Sequence, residues 1–267
     1  MLKAKISNLL RHLRLLYLTD KARFYFHWLR YRKLNQSFRQ AHPEVKLPPD
    51  YLLYESFQLH YPLYYEDGQE TAQELVELFR QHIELKDKKI LDWGCGPGRI
   101  IRHMPALIGN GCEFYGTDYN QKSIAWCSQH LKGITFNTNT LAAQLPYPDN
   151  FFDLIYGYSI FTHLSETLHY EWYAELIRVL KPQGILFLTT QGNNYIAKLT
   201  DTERESFNQG QLVVRGKVKE GHRTYSAFHP EPFMRHLFRK EEIVEHLTAP
   251  PHANGWLPHD FWIVKKK

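Results

Sequence analysis

Cysteine is scarce. Cys95, Cys112 and Cys127 are the three in the chain, and their spacing suits neither a disulfide framework nor a metal centre, so the chain reads as one of a reducing compartment. Long apolar runs are missing too: no stretch reaches the roughly 18 residues a membrane span needs, and no cleavable signal is visible, which predicts a cytoplasmic protein. Internal repeats and low-complexity tracts are also absent. Acid is nearly lacking from the first 40 residues, where ten Lys or Arg face Asp20 alone. That arm carries +9, and the remaining residues carry −4, for a total of +5.

What the chain does have is apolar material for a core: 43% of its 267 residues are hydrophobic and 15% aromatic, enough for one large domain with an appendage. In the arm, Leu2, Ile6, Leu9, Leu10, Leu13, Leu16 and Tyr17 follow helical spacing and predict a basic amphipathic helix. Such a helix packs on its own domain, lies on an anionic membrane surface, or binds nucleic acid. The aromatics Phe24, Tyr25, Phe26, Trp28 and Tyr31 read as packing material rather than a base-stacking platform. Pro43, Pro48 and Pro49 mark a linker, so the expected division is a helical arm over residues 1–50 and a main domain over residues 51–267.

The most informative stretch is KKILDWGCGPGRIIRH, residues 88–103. A short apolar strand ending in Asp92 is followed by Gly94, Gly96 and Gly98 around Pro97, and helical spacing resumes at Ile100, Ile101 and Met104. Glycines at alternate positions admit positive φ and carry no Cβ, which lets a ligand lie on main-chain N–H groups at a helix N-terminus. A dinucleotide fingerprint is G-x-G-x-x-G, which this loop is not, and a carboxylate just before the turn suits a cation better than a pyrophosphate. Downstream, EFYGTD reads as a second strand ending at Asp118, 24 residues after Gly94. A helix over 121–131, strands over 134–137 and 151–156, a helix over 166–180 and a strand over 185–190 follow. Beyond a polar excursion from Gly192 to Gly221 come a strand over 223–228, a helix over 230–238 and a closing strand over 261–264.

This succession resembles the class I S-adenosylmethionine-dependent methyltransferases. YYEDG, ILDWGCGPGRIIRH, GTDYN, IAWCSQHL, LPYPDNFFDLIYGYSIFTHLSE and LKPQGILFLTTQG resemble bacterial members acting on small molecules and surface saccharides, over about residues 61–192. The resemblance implies an α/β, Rossmann-like seven-stranded sheet of order 3-2-1-4-5-7-6 with an N-terminal helical extension. It implies S-adenosyl-L-methionine as cofactor, with S-adenosyl-L-homocysteine as product. Asp92, Gly94, Cys95, Gly96 and Gly98 would then hold the methionine end, Arg99 its carboxylate or an acidic substrate, and Asp118 the ribose hydroxyls. Tyr119 would lie against the adenine and methionine parts, and Tyr65 in a lid over about residues 51–70. The family's usual acid for the adenine amino group is missing near Thr140, where Asn139 or a backbone carbonyl is expected to replace it.

The acceptor is expected at the end of the fourth strand, Tyr156 to His163. The Asn/Asp-Pro-Pro-aromatic tetrad of base-amino methylases and the cysteine of cytosine methylases are both missing there, which argues against a base methylase. A hydroxyl nucleophile benefits from a neutral imidazole as base, making His163 the candidate, with Tyr158 closing the pocket and His222 and His229 as alternatives. His259-Asp260, before the closing strand, is read first as packing and second as a substrate contact. The expected acceptor is a hydroxyl, less often an amine, of a small molecule or saccharide. An RNA-modifying enzyme using the arm, and a non-catalytic cofactor-binding protein, are the alternatives.

Overall fold

The computed structural model describes residues 15–267 apart from 110, 253 and 254. The arm positions Leu2, Ile6, Leu9, Leu10 and Leu13 lie outside the described residues. Two compact units are formed, one of residues 17–140 and one whose described part is residues 141–267 with Leu15 and Leu16.

In the first unit, a 26-residue helix α1 (Leu16–Ala41) is followed by α2 (Asp50–Ser56) and α3 (Tyr61–Arg80). The sequence predicts a helix from about Thr71 to His82, and α3 begins ten residues earlier. His60 accepts from Leu63 N, and Pro62 occupies the first turn, where its missing N–H costs nothing. YYEDG is thus helical, and Gly68 sits inside the helix rather than ending a segment. A Cβ at Gly68 would stand 2.6 Å from the Arg99 carbonyl oxygen, so this glycine permits a close backbone approach. Phe38, Leu53, Tyr54, Leu59, Tyr61 and Tyr64 make the apolar core of the helical layer.

Strands β1 (Lys89–Trp93), β2 (Glu113–Asp118) and β3 (Ile134–Thr138) pair in parallel. Between β1 and β2 the expected helix is only a 3-10 turn, Ile101–His103, and one short helix α4 (Met104–Ile108). Helix α5 (Gln121–His130) is capped by Asn120, whose Oδ1 accepts from Lys122 N and Ser123 N.

In the second unit, β4 (Phe152–Gly157) pairs in parallel with β5 (Leu180–Thr190), and α6 (Glu166–Val179) connects them behind its Ser165 cap. Lys181-Pro182-Gln183-Gly184 does not form a separate turn but lies within β5. Gln183 has a φ of 65°, and its N–H donates to Lys266 O, so the last strand holds this kink in the sheet. The polar excursion folds as helix α7 (Asp201–Asn208) and strand β6 (Val213–Arg215), around Tyr195, Leu199, Phe207, Val213 and Phe228. The predicted strand over 223–228 shortens to β7 (Ser226–Phe228), which pairs with β6 in a separate two-stranded sheet. Helix α8 (Glu231–Leu237) leads to β8 (Glu242–Thr248), a strand the sequence reading missed, and β9 (Asp260–Lys265). The seven-stranded order is β3-β2-β1-β4-β5-β9-β8, with β8 and β9 antiparallel, which is the expected topology once the β6–β7 ribbon is set aside.

Candidate functional site

In the unit of residues 17–140, the turn after β1 is built by glycine. Gly94, Gly96 and Gly98 have φ values of 79°, 52° and 76°. Their N–H groups are consumed within the protein, contrary to the expectation of a free donor cradle: Gly94 N and Cys95 N donate to Thr117 O, Gly98 N to Cys95 O, and Gly96 N to Asp118 Oδ2 at 2.9 Å. The turn is therefore shaped for packing as much as for a ligand. A Cβ on Gly98 would meet Leu131 Cδ1 at 2.5 Å.

Burial and carboxylates give this turn its character. Asp92 and Asp118 are both buried. Asp118 receives two backbone N–H bonds, from Gly96 at one oxygen and from Asn120 at the other (2.7 Å), yet desolvation outweighs them and pushes its carboxyl up to about 6. Glu55 of α2 adds to the shift, and its Oε2 accepts from Asn120 Nδ2 at 3.0 Å. Two buried acceptors nearby have no partner among the described residues: Asn139 Oδ1 and Thr117 Oγ1. Asn139 is tied to the site by its own N–H, which donates to Asp118 O, while its Nδ2 donates to Thr140 O. Buried polar atoms are nearly always paired, so orphaned acceptors beside two carboxylates mark a place for a hydrogen-bond donor carrying positive charge. The ribose hydroxyls, adenine amine and ammonium of S-adenosylmethionine are such donors, its ammonium and sulfonium bring the positive charge, and the residues present fit it.

Of the other predicted residues, Tyr119 is half-buried, with its hydroxyl pushed up to about 12 by burial and by Glu55. Cys95 is buried, and its thiol is raised well above its usual range by desolvation and by Asp92. Arg99 is committed elsewhere than expected: its guanidinium pairs with Asp67 at 2.6 Å and lies 4.7 Å above the Phe57 ring. Tyr65 packs edge-on to His103, whereas its neighbour Tyr64 is fully buried and donates to Pro97 O of the glycine turn at 3.0 Å. Sequence reasoning missed Glu55, Tyr64 and Asp67. The density of tyrosine between residues 51 and 67 (Tyr51, Tyr54, Tyr61, Tyr64 and Tyr65) was the available signal for the last two, and Glu55 offered none.

In the unit of residues 141–267, polar groups gather where β4 and β5 end. Ser159, at a φ of 66°, donates its N–H to Thr189 Oγ1 at 2.7 Å, and Thr189 Oγ1 contacts His259 Nδ1 at 3.2 Å. The rings of Tyr158 and Tyr195 lie 6.2 Å and 5.5 Å from that of His259. His163 Nδ1 donates to Tyr225 O at 2.8 Å, which leaves the lone pair on Nε2, and burial lowers its pKa so that the ring is neutral. Glu220 accepts from Ser165 N, and Gly221 N donates to His163 O, so the late insertion braces this turn. His259 is lowered to about 3 by desolvation, then by His163 and Lys198.

His229 is not at that turn's edge but fully buried against His169, Nε2 to Nε2 at 2.9 Å. His169 Nδ1 donates to Ser165 O, so His169 Nε2 accepts and His229 Nε2 donates. That pair is a structural contact. His222 is occupied with Thr224. Apart from the His169–His229 pair, the unit thus offers in His163 an imidazole with a defined tautomer, with tyrosines and small hydroxyls in the same unit: a setting that accepts a proton from a polar group.

Residues 90–184 match the family model described as a methyltransferase domain. The chain is similar to a ubiquinone/menaquinone biosynthesis C-methyltransferase of Ectopseudomonas mendocina, 31% identical over 130 residues, covering 45% of this chain and 49% of the relative. It is also similar to an Arabidopsis thaliana tRNA (carboxymethyluridine(34)-5-O)-methyltransferase, 33% identical over 101 residues, covering 38% of this chain and 23% of that one. The chain spans about half the length or less of these relatives. A solved SAM-dependent methyltransferase from Methanosarcina mazei shares the fold, with a TM-score of 0.55 and 20% identity over 71% of this chain and 96% of the other.

Proposed function

We propose that residues 90–184, which match the methyltransferase-domain model, form a class I methyltransferase domain, and that the chain moves a methyl group from S-adenosylmethionine to a hydroxyl of a small molecule or saccharide. The observation that carries this reading is the group of buried acceptors in one unit: the Asp92 and Asp118 carboxylates with the orphaned Asn139 Oδ1. Each Asp118 oxygen keeps a lone pair beyond its backbone bond, enough for one ribose hydroxyl apiece. Asn139 Oδ1 takes the adenine amino group in place of the family's acid. Asp92 and the glycine turn hold the methionine end. When bound, the cofactor supplies a methyl group on a sulfonium, whose departure as a neutral thioether needs little further help.

His163 supports the choice of a hydroxyl acceptor. Its Nδ1 bond to Tyr225 O holds the ring in the tautomer whose Nε2 takes a proton, and burial keeps that nitrogen uncharged near neutral pH. Tyr158 and Tyr195 supply walls for an acceptor, and alignment with exclusion of water accounts for the remaining rate. The matched relatives include a carbon and an oxygen methylase, so the atom methylated rests on His163 alone. A second reading, methylation of RNA, is favoured by the +9 arm and the plant tRNA enzyme's match.

Calorimetry with S-adenosylhomocysteine tests the cofactor assignment. Asp118→Ala removes hydrogen bonds to a charged group and is expected to weaken binding by about 1.5–3 kcal/mol, roughly ten- to a hundredfold. Unchanged affinity rejects the ribose assignment. Turnover on a panel of hydroxylated metabolites and saccharides supports the acceptor class. RNA methylation with a steep fall of log affinity against log salt supports the second reading. Cofactor binding without turnover on either panel indicates a binding protein on this fold.

A further inference from the structure

Helix α1 is apolar on two opposite faces. At about 100° per residue, Phe24, Tyr31, Asn35 and Phe38 share one face. That face is packed: Phe24 lies edge-on to Tyr51 and Tyr54, Tyr31 to His60, and Asn35 Oδ1 accepts from Tyr61 N. Roughly 150° around the helix, Leu18, Ala22, Tyr25, Phe26 and Leu29 form a second stripe three turns long. Among the described residues nothing covers it: Leu18, Phe26 and Leu29 are 59%, 58% and 66% exposed. Tyr25 and Phe26 are therefore surface residues, not the packing material the sequence suggests. Scattered exposed leucines are ordinary, but a continuous apolar stripe on a soluble surface marks an interaction site.

Charge decides the partner. Lys21 and Arg32 border the stripe on one side and Arg23 and Arg30 on the other, and α1 holds six Lys or Arg against Asp20 alone. An apolar centre between two rows of cations matches an anionic lipid surface, where the stripe enters the acyl boundary and the long basic side chains reach back to the headgroups. Nucleic acid calls for the reverse, with cations at the centre of the contact. A second copy of the chain would bring like charges together across a two-fold axis. No described helix is long and apolar enough to cross a membrane, so the helix lies on the surface. We propose that the exposed face of α1 docks the protein on membranes rich in anionic lipid, presenting the domain to acceptors at that surface.

Flotation of the full chain with phosphatidylcholine vesicles, with and without phosphatidylserine, tests this. Binding is expected only with phosphatidylserine and is expected to weaken as salt is raised. The double variant Leu18→Ser/Leu29→Ser should lose about a hundredfold in partitioning, since each leucine withdrawn from the lipid costs roughly tenfold. Arg23→Gln/Arg30→Gln should lose binding less steeply while losing its salt dependence. All four positions are exposed, so thermal unfolding and S-adenosylhomocysteine affinity should stay at wild-type values; those readouts separate this proposal from the cofactor assignment. Equal partitioning of wild type and the leucine variant overturns the proposal. So does a stripe-dependent dimer in sedimentation velocity, or RNA retention by the stripe without vesicle binding.

Discussion

Asp118 carries the sharpest pH argument at the scale of single residues. Burial raises its carboxyl to about 6, so the charged form that accepts two ribose hydroxyls is present above that pH and is lost as pH falls through it. Affinity for S-adenosylhomocysteine is therefore expected to fall below pH 6, approaching about tenfold per unit, and an Asp118→Asn variant should bind weakly with no such dependence. Calorimetry between pH 5 and 8 reads both. The buried histidines act on stability instead. His169 is lowered to about 4 and His259 to about 3, each by desolvation. Below 6.5 the unfolded chain takes up protons that the folded chain refuses, so stability is full above 6.5 and declines as pH falls toward 4 and then 3. For His169 the loss amounts to about 3 kcal/mol when complete. Urea denaturation at pH 7.5 and at pH 5 should show the midpoint falling, and a flat midpoint would mean these rings are charged in the fold.

Glycine decides how the elements of the helical layer meet the turn after β1. Gly68 in α3 faces the Arg99 carbonyl, and Arg99 in turn pairs with Asp67 one residue away. Alanine is the better helix former by about 1 kcal/mol, so an unhindered Gly68→Ala would stabilise the protein. With backbone 2.6 Å from the new Cβ, the change is instead expected to destabilise by about 1–3 kcal/mol and to separate Arg99 from Asp67. Thermal unfolding of this variant measures the sign directly. Helical periodicity made α5 and α6 legible to within a residue or so, because their caps, Asn120 and Ser165, act locally. The early start of α3 and the drawing of Lys181-Pro182-Gln183-Gly184 into β5 were not legible. Packing of Tyr64 on the glycine turn and pairing of Gln183 with Lys266 override what local propensity suggests.

For the whole molecule, a ligand that binds only the folded state adds stability by mass action. S-adenosylhomocysteine at a hundred times its Kd should add about 2.7 kcal/mol and raise Tm by several degrees, and at the same concentration the gain should shrink to about 0.4–1.4 kcal/mol for Asp118→Ala. The fold class is legible in the sequence, because apolar strands alternate with amphipathic helices and the glycine turn marks the first crossover; the strand order came from the resemblance to class I methyltransferases, and β8 was missed. Asp92 and Asp118 are legible for the same reason: Asp118 ends β2 and Asp92 stands one residue before the end of β1, positions set by local pattern. Three features required the tertiary structure. The N–H groups of Gly94, Cys95 and Gly96 are spent on Thr117 and Asp118, Arg99 is held by Asp67, and Asn139 Oδ1 is buried with no partner among the described residues. Each depends on what residues distant in the chain bring near, and spacing along a chain carries no information about which donor reaches which acceptor once it is folded.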